Sequence, residues 1–179
     1  YTFSMHANVG DYWNRKNMYK TLGYKEYFDK SYFEVPTDKK SEDLVGLGLS
    51  DKSFFKQIIP ILKNIKESNT KYMGKIITLS NHSPFDDVTK YGNIDLGYLN
   101  DTEMGNYLKS AHYADEALGV FFKLVKENGL DEDTVFILYG DHESKLGKKN
   151  LNLLYNYDEK SGEYKNKLDP TYVDLDNYQ

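Results

Sequence analysis

The chain has 179 residues, a formal net charge of −5 and no cysteine. That length suits one ordinary domain with a buried core, and 39% hydrophobic with 15% aromatic content belongs to a folded chain. Lysines interleaved with acids, and no concentrated basic face, exclude a duplex nucleic-acid binder; the missing cysteines exclude disulfides, thiolate metal sites and cysteine nucleophiles.

Seventeen tyrosines suit a half-wet surface or a sugar-facing cleft, and codon usage in an AT-rich source accounts for them equally well. No stretch approaches the roughly 20 apolar residues of a spanning helix, and no signal peptide opens the chain. It opens at Tyr1 in what reads as a strand and stops at Gln179 without a capping signal, so the expectation is an internal piece of a longer protein.

Tyr1–Met5 alternates apolar and small polar residues as a short strand does, with His6 just after it. Trp13–Leu22 predicts a helix, with Asp11 near its start and Gly23 as the residue that ends it. Tyr24–Phe33 is open between strand and loop, and Pro36–Glu42 reads as a polar turn region. Ser50 or Asp51 can cap a helix whose stripe is Phe54, Phe55, Ile58, Ile59, Leu62 and Ile65, with Pro60 either kinking or splitting it.

The clearest unit runs from Lys71 to Tyr139. Ile76–Leu79 predicts a buried strand, and a polar loop carries the chain to Asn100. A long amphipathic helix then opens at Asp101 or Thr102, with Met104, Leu108, Ala111, Leu118, Phe122 and Val125 on one stripe, and Gly129 closes it. Val135–Tyr139 predicts a second apolar strand. Strand, helix, strand is a βαβ unit, so these strands are expected to run parallel. The fold class is therefore α/β, a mostly parallel sheet flanked by helices. Beyond Glu143 the periodicity fades: Leu151–Tyr164 reads as a hairpin, and Asn166–Gln179 as a polar, acidic and mobile excursion.

Open α/β folds bind ligands at the carboxyl ends of their strands. There this sequence has His6, Asn81-His82 and Gly140-Asp141-His142, three of its four histidines. A carboxylate and an imidazole adjacent on a sharp turn, Asp141-His142, suit a borderline divalent ion such as Mn²⁺ or Zn²⁺; the bland alternative is a satisfied Asp–His pair at a strand end. His82 can hydrogen-bond a phosphate or give a proton, or else bond local backbone. Arg15 offers a planar fork to phosphate oxygens and Trp13 a flank for a polyol, although a Trp near a helix start is more often packed inside. His112, in the middle of the long helix, has no assigned role. Gly46-Leu-Gly48 is not a dinucleotide fingerprint, and neither Gly-x-Ser-x-Gly nor a P-loop occurs.

An ordered series of motifs carries a family resemblance. It runs His6, Trp13-Asn-Arg15, Met18-Tyr19-Lys20, Gly23-Tyr24, then Gly48-Leu49-x-Asp51-Lys52-x-Phe54-Phe55, then Ile77-Thr-Leu-Ser-Asn-His82-x-Pro84-Phe85. Ala114-Asp-Glu-Ala-Leu118 and Tyr139-Gly-Asp-His142 complete it. The series, over about the first 145 residues, resembles lipoteichoic acid synthase and its relatives, in the sulfatase-like branch of the alkaline phosphatase superfamily. The resemblance implies a single catalytic domain, of which 1–179 is part: 1–145 family-like, 146–179 divergent and mobile.

It also implies a phosphoglycerol transferase. In that family a threonine takes glycerol phosphate from phosphatidylglycerol and passes it to a growing glycerol phosphate polymer on the extracellular side of the cell membrane, in a membrane-anchored protein. Asp141 and His142 match two ligands of its ion, usually Mn²⁺, with Mg²⁺ or Zn²⁺ as options. His82, His6, Trp13 and Arg15 match its substrate-binding residues, and Arg15, His6 and His82 are expected to donate to phosphate oxygens. The family's nucleophilic threonine and glutamate ligand lie upstream of the matched segment; Thr21 and Thr78 fall in the wrong motifs to replace them. No catalytic nucleophile is therefore expected in this chain, which alone should not turn over. Glu143-Ser144 departs from the family pattern and sets an extra acid beside the ion site. Other enzymes of the superfamily, such as sulfatases or phosphoethanolamine transferases, and a non-catalytic module binding an anionic cell-surface polymer are the alternatives.

Overall fold

Parallel pairing sets the architecture of the computed structural model, which describes residues 1–69 and 71–176. In chain order the elements are β1 (Thr2–His6), α1 (Arg15–Thr21), β2 (Glu26–Phe28), β3 (Leu44–Val45), β4 (Gly48–Leu49), α2 (Asp51–Ser68), β5 (Met73–Ile77), α3 (Glu103–Glu127), α4 (Lys148–Asn156), β6 (Tyr157–Asp158) and β7 (Glu163–Tyr164). The main sheet has the order β2-β1-β5, with β1 parallel to both neighbours. Central β1 is buried on both faces, Phe3 and Met5 on one and Ser4 and His6 on the other, as a strand inside a parallel sheet must be.

Tyr24–Phe33, ambiguous in the sequence, supplies β2 and joins β1 through Phe3 to Met5. α1 starts at Arg15, two residues later than the expected helix. Trp13 and Asn14 both have left-handed backbone (φ 56° and 54°), a conformation that cannot continue into a right-handed helix. The far end is as expected: Gly23 (φ 86°) follows the last helical turn, with its N–H donating to Lys20 and that of Tyr24 to Tyr19.

Ser50 is the cap of α2, accepting from the Ser53 N–H at 3.2 Å. The helix runs through Pro60 without splitting, and Pro60 and Lys56 both lie on its exposed face, where a carbonyl that loses its helical donor is open to solvent. Its apolar face packs on α3, with Phe55 and Phe121 rings 4.7 Å apart and Ile58, Leu62, Ala117 and Val125 in the same core. Thr102 caps α3, accepting from Gly105 at 3.0 Å. The fully buried stripe of α3 is Met104, Tyr113, Ala117, Phe121 and Val125, whereas Leu108, Ala111, Leu118 and Phe122 of the expected stripe are only half-buried.

The expected strand Val135–Tyr139 does not form. Residues 134–140 run in the direction of β5 but make no ladder with it. Side chains span the gap in matching order: Tyr72 Oη lies 3.4 Å from Thr134 Oγ1, Lys75 Nζ 5.9 Å from the Tyr139 ring, and His82 stands 5.7 Å from His142, centroid to centroid. Between the two backbones is a cavity of about 1500 Å³, floored by Leu118, Phe121 and Phe122 of α3. The apolar run is there, but the hydrogen-bonding edge it needs is out of reach. Val135 and Ile137 accordingly stay 86% and 79% exposed, while Phe136 packs on Phe122 at 5.4 Å.

The hairpin expected over Leu151–Tyr164 also differs. Residues 148–156 are helix α4, and only β6 and β7 pair as a hairpin. Buried Asn156 explains how the following chain is held. Its side-chain amide donates to the Val173 carbonyl and accepts from the Val173 N–H, 2.9 and 2.8 Å, as a neighbouring strand would. Of the excursion expected over 166–179, residues 177–179 lie outside the described residues.

A tight point in this packing is the start of α3. A Cβ at Gly105 would collide with the Leu99 carbonyl oxygen, a backbone atom that cannot swing aside. Gly105→Ala is expected to destabilise the fold by about 2 kcal/mol or more despite the better helix propensity of alanine, seen as a lowered urea-unfolding midpoint.

Candidate functional site at the carboxyl rim of the sheet

β1 and β5 pair in register up to His6 and Ile77, so the loops that leave them emerge at one rim. The register has a direct chemical consequence. The His6 ring is 2% exposed, and its Nδ1 lies 3.0 Å from the Ile77 carbonyl oxygen. A carbonyl only accepts, so Nδ1 carries the hydrogen and Nε2 is left with its lone pair. Burial pushes the His6 pKa down to about 4; the charges of Arg15 and His82 push the same way, and the Ile77 carbonyl and Asp141 oppose them. His6 is therefore neutral near pH 7. The expected donor to a phosphate oxygen is instead an acceptor at Nε2, a partner for a hydroxyl.

The other two rim histidines repeat this geometry. His82 Nδ1 lies 2.7 Å from the Ser83 carbonyl oxygen and His142 Nδ1 2.7 Å from that of Glu143. Each Nε2 is thus the free atom, the arrangement that fixes the tautomer of a metal-binding or proton-transferring imidazole. His142 Nε2 is 3.7 Å from Asp141 Oδ1, and both side chains are open to solvent. A carboxylate oxygen and an imidazole lone pair this close form two corners of a divalent-cation site, and their donor chemistry fits Mn²⁺, Mg²⁺ or Zn²⁺. The fit is partial: among the described residues no three His, Asp or Glu side chains converge on one point.

Arg15, His82, Asp141 and His142 all line the cavity beside β5, as does Glu143. His6 sits under the same rim, within range of the charges of Arg15, Asp141 and His82. Trp13 is the residue the structure does not bring in. It is 73% exposed, stands edge-on to Tyr12 at 5.7 Å and is not among the cavity residues, because the left-handed turn at Trp13-Asn14 turns the chain before α1 begins.

The loop bearing His82 is held from two sides that sequence reading did not foresee. The Ser110 hydroxyl on α3 donates to Asn81 Oδ1 at 2.7 Å. From α2, the Asp51 carboxylate accepts from the Leu79 and Ser80 N–H groups. The available signal was an Asp at a helix start inside a motif, which read only as a cap.

The buried neutral His6 sets a pH dependence. A His whose pKa is depressed in the fold adds stability that is present above the unfolded value of about 6.5 and is lost as pH falls toward the folded value. The His6 contribution to unfolding free energy should therefore fall on the order of 3 kcal/mol between about pH 6.5 and 4, while buried Asp51, whose pKa is raised to about 6, works in the opposite direction over the same range; the His6 part is read as the difference in pH slope between the wild type and His6→Gln. An imidazole proton resonance for His6 that titrates near 6.5 would contradict the assignment.

A sequence model of the sulfatase family matches residues 1–172. Lipoteichoic acid synthase 1 of Bacillus subtilis is 37% identical over 138 residues, covering 77% of this chain and 20% of the relative. Lipoteichoic acid synthase of Staphylococcus saprophyticus is 34% identical over 143 residues, 79% of this chain and 21% of its own. The chain thus spans about a fifth of the length of these relatives. Among solved structures, the lipoteichoic acid synthase LtaP of Listeria monocytogenes superimposes with a TM-score of 0.71 at 31% identity, over 92% of this chain and 41% of that one. The Streptococcus pyogenes phosphoglycerol transferase GacH, at 19% identity and a TM-score of 0.51, shares the fold over 70% of this chain and 32% of its own. The α/β architecture, the rim of strand-end histidines and the family match over nearly the whole length lead to one conclusion: this chain belongs to the sulfatase family.

Proposed function

We propose that this chain is the substrate- and metal-binding part of a phosphoglycerol transferase of the lipoteichoic acid synthase type, working within a longer protein. One observation carries the reading: Arg15, His82 and the Asp141-His142 turn line one cavity at the carboxyl rim of a parallel sheet, with His6 beneath them. The similarity to lipoteichoic acid synthases at 33–37% identity supports it.

Each residue has a role that follows from its chemistry. The Arg15 guanidinium grips nonbridging phosphate oxygens through paired N–H donors. His6, neutral and with Nε2 free, accepts from a glycerol hydroxyl. His82 Nε2 faces the phosphate and exchanges a proton with the leaving or attacking oxygen. Trp13 stands outside the cavity and is assigned no contact with the polyol. Asp141 and His142 hold two faces of a divalent cation, Mn²⁺ by family resemblance. When bound, that ion supplies Lewis acidity, lowering the pKa of a nucleophilic hydroxyl and neutralising charge on the phosphoryl group. The threonine nucleophile and the glutamate ligand come from outside residues 1–179, and the cavity between β5 and residues 134–140 is the place where an extended segment of the longer protein fits. The donor is phosphatidylglycerol and the acceptor a glycerol phosphate polymer, on the extracellular side of the membrane, with the anchor elsewhere in the protein. No described helix is long and apolar enough to cross a membrane.

The full-length protein supplied with phosphatidylglycerol and Mn²⁺ should release diacylglycerol, and residues 1–179 alone should not. Arg15→Ala should cost the full-length protein about 100-fold in kcat/KM, and Asp141→Ala should abolish both turnover and the weak Mn²⁺ binding of the isolated chain. Mn²⁺-independent turnover, or full activity in Asp141→Ala, would sink the reading; a full-length protein that binds glycerol phosphate polymer without turnover would instead make it a binding module.

A further inference from the structure

Asp51 belongs to the motif Gly48-Leu49-x-Asp51-Lys52 and has no part in the chemistry proposed above. It is the first residue of α2 and is 1% exposed. Its carboxylate reaches the chain just past β5, with Oδ1 accepting from the Leu79 N–H at 2.7 Å and Oδ2 from the Ser80 N–H at 3.2 Å. Its own N–H donates to the Ser80 hydroxyl at 2.9 Å. Three hydrogen bonds therefore tie two residues to one, and His82 follows two positions later.

The arrangement answers a backbone problem. β5 ends at Ile77, so the N–H groups of Leu79 and Ser80 have left the ladder while still buried, and a buried N–H needs an acceptor. A carboxylate supplies two acceptors at once. Burial pushes the Asp51 pKa up to about 6, and the two N–H donors pull against it; the N-terminus of α2 also favours the anion. A buried acid costs stability relative to an apolar residue of similar size. A fold needing only stability can end a strand with a turn and a water molecule. A fold that must present one imidazole at a fixed point needs a rigid clamp on the chain leading to it.

We propose that Asp51 is a positioning residue for substrate recognition, clamping the Leu79–Ser80 backbone so that His82 is held at the rim facing Arg15 and the Asp141-His142 turn. The clamp acts only through His82 and does not touch the ligand. The proposal rests on the reading that His82 engages glycerol phosphate.

A double-mutant cycle in the full-length protein tests it, with glycerol phosphate affinity read by calorimetry for the wild type, Asp51→Asn, His82→Ala and the double variant. Asparagine keeps the shape and one acceptor but turns an N–H toward the other backbone donor. The expected result is about a tenfold weaker Kd for Asp51→Asn in the wild-type background and no further loss in the His82→Ala background. Equal losses in both backgrounds would make Asp51 a purely structural residue and overturn the proposal. An unchanged Kd in His82→Ala would remove the reading beneath it, a separately visible failure. Amide exchange at Leu79 and Ser80 reads the clamp without any ligand: about tenfold faster exchange in Asp51→Asn is expected, and unchanged exchange overturns the proposal. If Asp51→Asn does not fold, Ser80→Ala carries the same cycle, since it removes the hydroxyl that bonds Asp51 and leaves the Leu79 and Ser80 N–H groups on the carboxylate; a smaller loss that vanishes with His82→Ala supports the clamp, and one that persists overturns it.

Discussion

The hydrogen bond between the His6 ring and the Ile77 carbonyl depends on one register, Thr2 opposite Met73 through to His6 opposite Ile77. A shift of one residue would turn His6 to the other face of the sheet, because side chains alternate along a strand. It would also move the exits of β1 and β5 apart. Parallel strands cannot be joined by a tight turn, so the 66 positions between β1 and β5, which include α1, β2 and α2, must all be arranged to let that register form. The buried pair of Phe3 and Met5 on the opposite face fixes it from the core side. Site chemistry and core packing thus depend on the same alignment.

Three imidazoles at this rim share a simple device. Each gives its Nδ1 hydrogen to a backbone carbonyl, of Ile77, Ser83 or Glu143. The carbonyl is fixed, so the ring is oriented and the tautomer set before any ligand arrives. What separates the three is burial. His6 is buried and held neutral, whereas His142 stands in solvent with a carboxylate beside it. One backbone motif therefore leaves a buried, neutral imidazole at one position and an exposed one beside a carboxylate at another, with solvent access making the difference.

Much of this was legible in the sequence, for identifiable reasons. Ser50, Thr102 and Gly23 act locally, through side-chain oxygens or a left-handed φ, and local signals survive folding unchanged. His6 and His82 were legible because the ends of neighbouring parallel strands lie together whatever the exact bounds of the strands, whereas Asp141-His142 follows a segment that makes no ladder. Trp13 was read as a helix residue since nothing in the composition of Tyr12-Trp13-Asn14 marks left-handed backbone at two successive positions. Nor could periodicity assign α4, where Leu151, Leu153 and Leu154 fit strand and helix alike over so short a run. Asp51 was invisible for a different reason: its partners Leu79 and Ser80 are distant in sequence and contribute only backbone, which every residue carries.

Residues 134–140 show that an apolar pattern states what a segment can bury, not what it will pair with. Val135, Ile137 and Leu138 are as β-prone as any run in the chain, yet strand structure is a property of two edges. β5 presents one edge to β1 and the other to the cavity. The half-buried stripe of α3, Leu118 and Phe122 among it, lies along the same cavity and explains why the periodicity of this helix in sequence is wider than its fully buried face. Two unpaired backbone edges and an apolar floor are the boundary conditions of an inserted strand, since such a strand would satisfy the first and cover the second together. The side chains that bridge the cavity, from Tyr72 with Thr134 at one end to His82 with His142 at the other, hold its two walls in parallel and keep Asp141-His142 level with the rest of the rim. The Asp141-His142 turn is consequently placed by side-chain contacts alone, with no backbone ladder to β5 behind it. Precision at this turn is therefore the property of this chain most dependent on what occupies the neighbouring space.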